Sequence, residues 1–130
     1  MHSKVLLFNI KKIKNRNLFV YEKLKFIIKR FYFHNELKKG YKFGFHSHKN
    51  LRQIYICVYG AVKITVFFNN KKKIFLLNKE TKGLFIQKNV WREIETISNN
   101  SVLCTLADQK YKKNDYIRNF DEFKKKNKVL

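Results

Sequence analysis

His46 and His48 stand two residues apart in the run Gly44-Phe45-His46-Ser47-His48. On a β-strand such residues share a face, so both imidazoles point into one space. An imidazole with its ordinary pKa near 6.5 is the natural general base at neutral pH. Either histidine alone is equally well read as a hydrogen-bonded residue in a strand wall; for the two together, on one face, the functional reading leads. Arg30, Tyr32 and His34 alternate with Phe31 and Phe33, which gives a second strand with a polar face. There Tyr32 either donates to a ligand or packs in the core with its hydroxyl satisfied. Arg92 follows Trp91, and a fixed guanidinium at a strand edge can hold an oxyanion bidentately. A surface ion pair with Glu93 or Glu95 is the competing role for Arg92, and core packing is the commoner one for Trp91. Arg16 and Arg118 are further phosphate candidates, with capping of the C-terminal segment or a subunit contact as the other reading of Arg118.

These side chains need a scaffold of strands. VLLFNI (5–10), LFVY (18–21), FIIKRFYFH (26–34), GFHSH (44–48), QIYICVYG (53–60), AVKITVFF (61–68), KIFLL (73–77), GLFIQ (83–87), REIETI (92–97) and SVLCTLA (101–107) are short, β-prone and separated by polar turns. Asn69-Asn70 reads as a hairpin turn that tolerates positive φ, and Asn99-Asn100 as a second turn. Many short strands at regular spacing argue for a barrel or sandwich. Only the last twenty residues look helical, with Asp115 as the expected N-cap ahead of Ile117, Phe120 and Phe123. No Gly/Ser/Pro-rich linker or internal repeat divides the chain, so residues 1–130 read as a single all-β domain with a short C-terminal helical segment.

Composition sets the outer limits. Apolar residues make up 45% of the 130 and aromatics 16%, far too much for a disordered tail despite a net charge of +21. Of 30 basic residues only Arg16, Arg30, Arg52, Arg92 and Arg118 are arginine, and the lysines are spread along the whole chain. That pattern reads as solvated lysines on every face, not a nucleic-acid stripe, so nucleic acid is not an expected partner. Cys57 and Cys104 lie inside apolar runs, as buried thiols do in a reducing compartment. No apolar run reaches the roughly 18 to 20 residues needed to span a bilayer. The opening MHSKVLLFNIKKIKN carries lysines where a cleavable signal needs apolar and small residues. A cytoplasmic protein without membrane contact is expected.

The glycines around the histidine pair add a pattern. Gly40, five residues, His46-Ser47-His48, four residues, Gln53, six residues and Gly60 resemble the first signature of the cupin superfamily, with Gln53 where the acidic ligand stands. The second signature is half present: Gly83 fits its start, but Asn89, Trp91 and Ile94 occupy its Pro, Gly and His positions. The resemblance implies a jelly-roll β-barrel. A cupin metal site needs further ligands from the places held here by Gln53 and Ile94; a neutral amide is a weak ligand and an alkyl group is none. The expectation is therefore no metal and no cofactor.

Lys29-Arg30-Phe31-Tyr32-Phe33, Gly44 to Lys49, Val90-Trp91-Arg92-Glu93 and Asp115 to Phe123 together resemble the cupin-type sugar 3,4-ketoisomerases that act on dTDP-4-keto-6-deoxyglucose. The likeness runs from about Asn17 to Phe123. It departs at Phe43, where a basic residue commonly precedes the histidine run, and at Lys88-Asn89, where prolines often precede Val-Trp. The resemblance implies transfer of a ketone from C4 to C3 by moving a proton from C3 to C4, with His48 as principal base or shuttle and His46 as its partner. Tyr32 and His34 would complete the relay or donate to sugar oxygens, and Arg92, Arg16, Arg30, Trp91 and Arg118 would hold the nucleotide sugar. It also implies a homodimer in which the N-terminal strand swaps or adds to the partner's sheet. A cupin sugar-nucleotide 3,5-epimerase and a non-catalytic ligand-binding cupin are the competing readings.

Overall fold

A computed structural model describes residues 4–22 and 24–127. The first three residues of the opening segment and the ends of the 1–130 domain therefore lie outside it. Among the described residues twelve strands and one α-helix are formed: β1 Val5–Phe8, β2 Lys11–Ile13, β3 Leu18–Val20, β4 Arg30–Leu37, β5 Lys42–His48, β6 Gln53–Tyr59, β7 Ala61–Phe68, β8 Lys71–Asn78, β9 Gly83–Ile86, β10 Trp91–Thr96, β11 Ser101–Ala107, β12 Tyr116–Ile117 and α1 Phe120–Lys126. Two five-stranded sheets carry the fold, ordered β1-β9-β6-β11-β4 and β12-β5-β10-β7-β8. All their pairings are antiparallel. The sheets are not joined edge to edge, so the jelly roll is an open sandwich more than a closed barrel. β2 and β3 form a separate two-stranded ribbon. No described helix is long and apolar enough to cross a membrane.

Alternation along the strands divides inside from outside. Tyr55, Cys57, Leu84, Ile86 and Leu103 of one sheet meet Val62, Ile64, Val66, Leu77 and Ile94 of the other, all buried. Burying a side chain of this size contributes roughly 1.5 to 3 kcal/mol. Further along the same strands the inward residues turn polar: Gln53 on β6, Thr105 on β11, Arg92 on β10 and His48 on β5 are all fully buried. A second apolar cluster covers the outer face of the first sheet, where Ile54, Ile56, Phe85 and Leu106 lie under Phe8, Tyr21, Leu24 and Phe26.

The turns at Asn69-Asn70 and Asn99-Asn100 form as read. Asn69 and Asn70 have φ of 48° and 59°, the backbone of a two-residue hairpin whose twist matches its strands. Three expectations are corrected. Residues 26–29 are not strand, and β4 runs on to Leu37. Short β2 has too few residues to show a period. The C-terminal region is not all helical, because Tyr116 and Ile117 pair with His48 and Ser47 of β5. The helix cap is Asn119, whose side chain accepts from the Glu122 N–H at 2.9 Å, not Asp115. Asn119 has a glutamate three residues on, which favours a helix start there. β1 pairs with β9 of its own chain, which places the N-terminal strand at the edge of the first sheet.

Candidate active site

A bulge in β5 builds the site. β5 slips one residue against β10, with Arg92 opposite His46 but Glu93 opposite Gly44. Gly44 and Phe45 absorb the extra length with φ of 95° and 50°, and bulges of this kind commonly re-aim side chains at functional sites. Phe43 and His46 thereby both face inward although they are three apart. Gly44 also lets the strands close up, since a Cβ there would stand 3.3 Å from the Arg92 carbonyl oxygen.

Between the sheets opens a cleft of about 230 Å³ lined by Arg30, Tyr32, His34, Phe43, Gly44, His46, Tyr55, Ile94, Tyr116 and Arg118. The two histidines are not equivalent: His46 lines the cleft, whereas His48 is 0% exposed behind it. The rings meet edge to face with centroids 4.8 Å apart, and Tyr116 lies 5.0 Å from one and 4.4 Å from the other. His46 Nδ1 sits 2.8 Å from the Gly44 carbonyl oxygen and therefore carries the proton, which leaves Nε2 as the basic atom. His48 Nδ1 is 3.1 Å from Asp115 Oδ2. Among the described residues neither Nε2 has a hydrogen-bond partner.

Burial first, and then the nearby Arg92 guanidinium, push the pKa of His46 down to about 3, against a small upward pull from the Gly44 hydrogen bond. The same two causes lower that of His48, and burial lowers that of His34. All three are therefore neutral at pH 7, so His46 can accept a proton there.

Arg92 is fully buried. It donates through Nη1 to Gln53 Oε1 and through Nη2 to the Val90 carbonyl at 2.8 Å. The surface ion pair is ruled out, because Glu93 accepts from Trp91 Nε1 at 2.9 Å and Glu95 pairs with Lys63 at 3.2 Å. Gln53 is wholly engaged: its oxygen also accepts from the Tyr55 hydroxyl at 2.8 Å, and its Nε2 donates to the Tyr32 hydroxyl at 3.1 Å. Among the described residues no three His, Cys, Asp or Glu side chains gather as a metal-binding group, and Ile94 lies in the core as a cleft wall.

Tyr32 is hydrogen-bonded to Gln53 and also lines the cleft, where burial raises its pKa above the ordinary value. Arg30 stacks on Tyr32 at 4.5 Å and on Tyr111 at 5.3 Å, and its buried Nη1 has no hydrogen-bond partner among the described residues. Arg118 stacks on Tyr116 at 4.3 Å at the cleft mouth. His34 packs against Phe43 with centroids 4.5 Å apart. Two predicted binders fall elsewhere. Trp91 is 2% exposed and packs with Phe120 and Phe123 beneath α1, and Arg16 is exposed in the turn between β2 and β3, away from the cleft lining. The residues missed are Tyr55, Tyr111, Tyr116 and the Asp115 carboxylate. Asp115 and Tyr116 lay within the segment carrying the resemblance; no sequence signal marked Tyr111 or Tyr55.

An open jelly roll with a histidine-lined cleft between its sheets defines a cupin-type protein. The chain belongs to the FdtA family, described as WxcM-like, C-terminal, whose model it matches over residues 1–128. It is 35% identical over 100 residues, 77% of this chain and 72% of the other, to a TDP-4-oxo-6-deoxy-alpha-D-glucose-3,4-oxoisomerase of Aneurinibacillus thermoaerophilus. Among solved structures it is similar to QdtA, a sugar 3,4-ketoisomerase from Thermoanaerobacterium thermosaccharolyticum in complex with TDP. The TM-score there is 0.87 at 35% identity, covering 98% of this chain and 97% of that one. A histidine-to-asparagine mutant of QdtA has been solved with TDP-4-keto-6-deoxyglucose. A 3,4-ketoisomerase from Helicobacter canadensis is 37% identical with a TM-score of 0.83, covering 96% of each chain. Like these relatives, the chain is an isomerase.

Proposed function

We propose that this enzyme moves the ketone of a dTDP-linked 4-keto-6-deoxyglucose from C4 to C3 without a metal, with His46 as the base that meets the sugar. The observation that carries the assignment of the base is the neutral His46 in the cleft wall, its Nε2 unpartnered and its Nδ1 proton held by Gly44. The nature of the substrate rests on the relatives, whose names place this sugar and nucleotide in their sites.

The C4 carbonyl acidifies the proton on C3. His46 Nε2 removes it, the electrons form the C3–C4 double bond of an enediol, and a proton returned to C4 leaves the carbonyl at C3. The proton on the C3 hydroxyl passes to the C4 oxygen in the same exchange, so no electrons enter or leave. Tyr32 and Arg30 line the cleft as donors to the sugar oxygens, while the buried Arg92 charge favours the enediolate from behind. General acid-base catalysis of this kind supplies roughly 10²- to 10⁴-fold, and an oriented donor to a developing oxyanion adds about 10²- to 10³-fold. The reading needs no metal because Gln53, at the ligand position of the resemblance, already satisfies a fixed cation, and Ile94 offers no donor.

Arg30 and Arg118, each stacked on tyrosine, frame the mouth of the cleft as the diphosphate site. The 3-keto product is what a transaminase of 3-amino-3,6-dideoxysugar synthesis consumes, and the cytoplasm is where such nucleotide sugars are made. A homodimer through the outer face of the first sheet fits Phe31 and Phe33, each 56% exposed on β4, since isolated domains rarely leave large aromatics side by side in water.

The test is to incubate EDTA-treated protein with dTDP-4-keto-6-deoxyglucose in deuterated water and follow the sugar by NMR. A ketone at C3 with deuterium at C4 is the expected result, and the C4 coupling reads galacto or gluco. Deuterium at C3 and C5 with the ketone still at C4 would replace the reading with a 3,5-epimerase, and no exchange would replace it with a binding-only cupin.

A further inference from the structure

Asp115 precedes β12 and is 7% exposed. Its Oδ1 accepts the Asn50 N–H at 2.8 Å, its Oδ2 accepts the Leu51 N–H at 3.3 Å, and the same Oδ2 lies 3.1 Å from His48 Nδ1. Its backbone oxygen takes the Lys49 N–H at 2.9 Å. An ionised carboxylate has acceptor sites only, and every other group around this one is a donor. The ring atom of His48 facing it is therefore Nδ1–H. His48 Nε2 then carries the lone pair, buried, without a protein partner and against the edge-to-face ring of His46.

We infer that Asp115 is a positioning residue: it fixes the rotamer and the Nδ1–H tautomer of His48, so that a buried proton acceptor stands directly behind the base in the cleft. The inference deepens the proposed reaction and rests on it for its kinetic consequence, but not for the tautomer. The carboxylate ties together the end of β5, the loop after it and β12, so the two imidazoles inherit one register from one side chain. A carboxylate that accepts from an imidazole N–H orients the ring and selects its tautomer in this way in metal sites and in hydrolase triads.

Asp115→Asn keeps the shape and an oxygen for one backbone N–H, but it places an NH2 where an acceptor stood. His48 should then shift its proton to Nε2. In protein labelled with ¹⁵N-histidine, two-bond ¹H–¹⁵N spectra of the wild type should show His48 as the Nδ1–H form, and those of Asp115→Asn as the Nε2–H form. Turnover of the variant should fall at least about a hundredfold with KM within about threefold. Added to His48→Asn, the same substitution should cause no further loss in kcat, because both act through one ring. A wild-type His48 with its proton on Nε2 overturns the inference even if the variant fails to fold. Undiminished turnover in Asp115→Asn, or losses that multiply in the double variant, overturns it equally. If the tautomers behave as expected while the C3 ketone never forms, the proposed reaction fails and the positioning stands.

Discussion

Arg92 and Gln53 form a hydrogen-bonded pair across the interior, joining β10 of one sheet to β6 of the other with neither side chain exposed. Among the described residues no carboxylate is bonded to the guanidinium; its partners are the Gln53 amide oxygen and the Val90 carbonyl. Removing a charge from water costs several kcal/mol unless a counter-charge or several good hydrogen bonds offset it. A buried cation retained without one therefore acts on something else, and what lies within its field is the histidine pair.

Arg92→Met should consequently leave the fold intact, with a midpoint of unfolding within a few degrees of wild type or above it. Turnover should fall by at least about tenfold, and the pKa of His46 should rise from about 3, as followed by NMR titration. A large loss of stability would make the pair a structural clamp instead.

Acid should destabilise the protein through its histidines. Those of the unfolded chain take up protons below about pH 6.5, whereas His46, His48 and His34 are held below that value in the fold. The unfolded state then binds more protons, so stability falls as pH drops through 6.5 and onward toward 3. His46 and His48 each steepen the loss by up to about 1.4 kcal/mol per pH unit, and the half-exposed His34 by less because solvent screens it. Urea unfolding at pH 7.5 and 5.5 checks the sign; equal stabilities would mean the imidazoles are protonated in the fold.

Arg118→Ala should weaken dTDP binding about three- to tenfold and lessen its salt dependence, with kcat nearly unchanged, because the guanidinium stacks on Tyr116 at the mouth and not on the reacting carbons. Titration calorimetry at two salt concentrations measures this. An unchanged affinity would move the diphosphate to other residues.

Gly60→Ala should cost about 2 to 4 kcal/mol, the sum of a left-handed backbone and an overpacked contact. Gly60 has φ of 73°, and an added Cβ would stand 2.9 Å from Ser101 Cα. Ser101 Oγ cannot give way freely, since it serves Ala61 N–H at 3.0 Å and Ser98 O at 2.6 Å. Thermal unfolding would show the loss.

What could be read from the chain beforehand divides along physical lines. Alternation and paired asparagines located the strands and turns because both are local, and the shared face of His46 and His48 needed only a period of two. The bulge at Gly44 and Phe45 is where local reading fails: it depends on how β5 lies against β10, and it decides that His46, not His48, meets the cleft. Arg92 was singled out for its chemistry at a strand edge, with a surface ion pair as the alternative, but its burial was not foreseen, since nothing near it in sequence shows that its partner is Gln53, thirty-nine residues away. Asp115 looked like a helix cap because caps and imidazole partners draw on the same acceptor chemistry. β12, two residues long, has no periodicity to detect. Trp91 became core because α1 folds over it, a contact between segments far apart in the chain.

The most direct test of the central claim compares C3 proton exchange in deuterated water, by NMR, for His46→Asn and His48→Asn with dTDP-4-keto-6-deoxyglucose bound. His46→Asn should abolish exchange at C3 to at least about a thousandfold below wild type, while His48→Asn should slow it by about a hundredfold and leave it measurable. Exchange persisting in His46→Asn but absent in His48→Asn would contradict the account and return the base to the buried member of the pair.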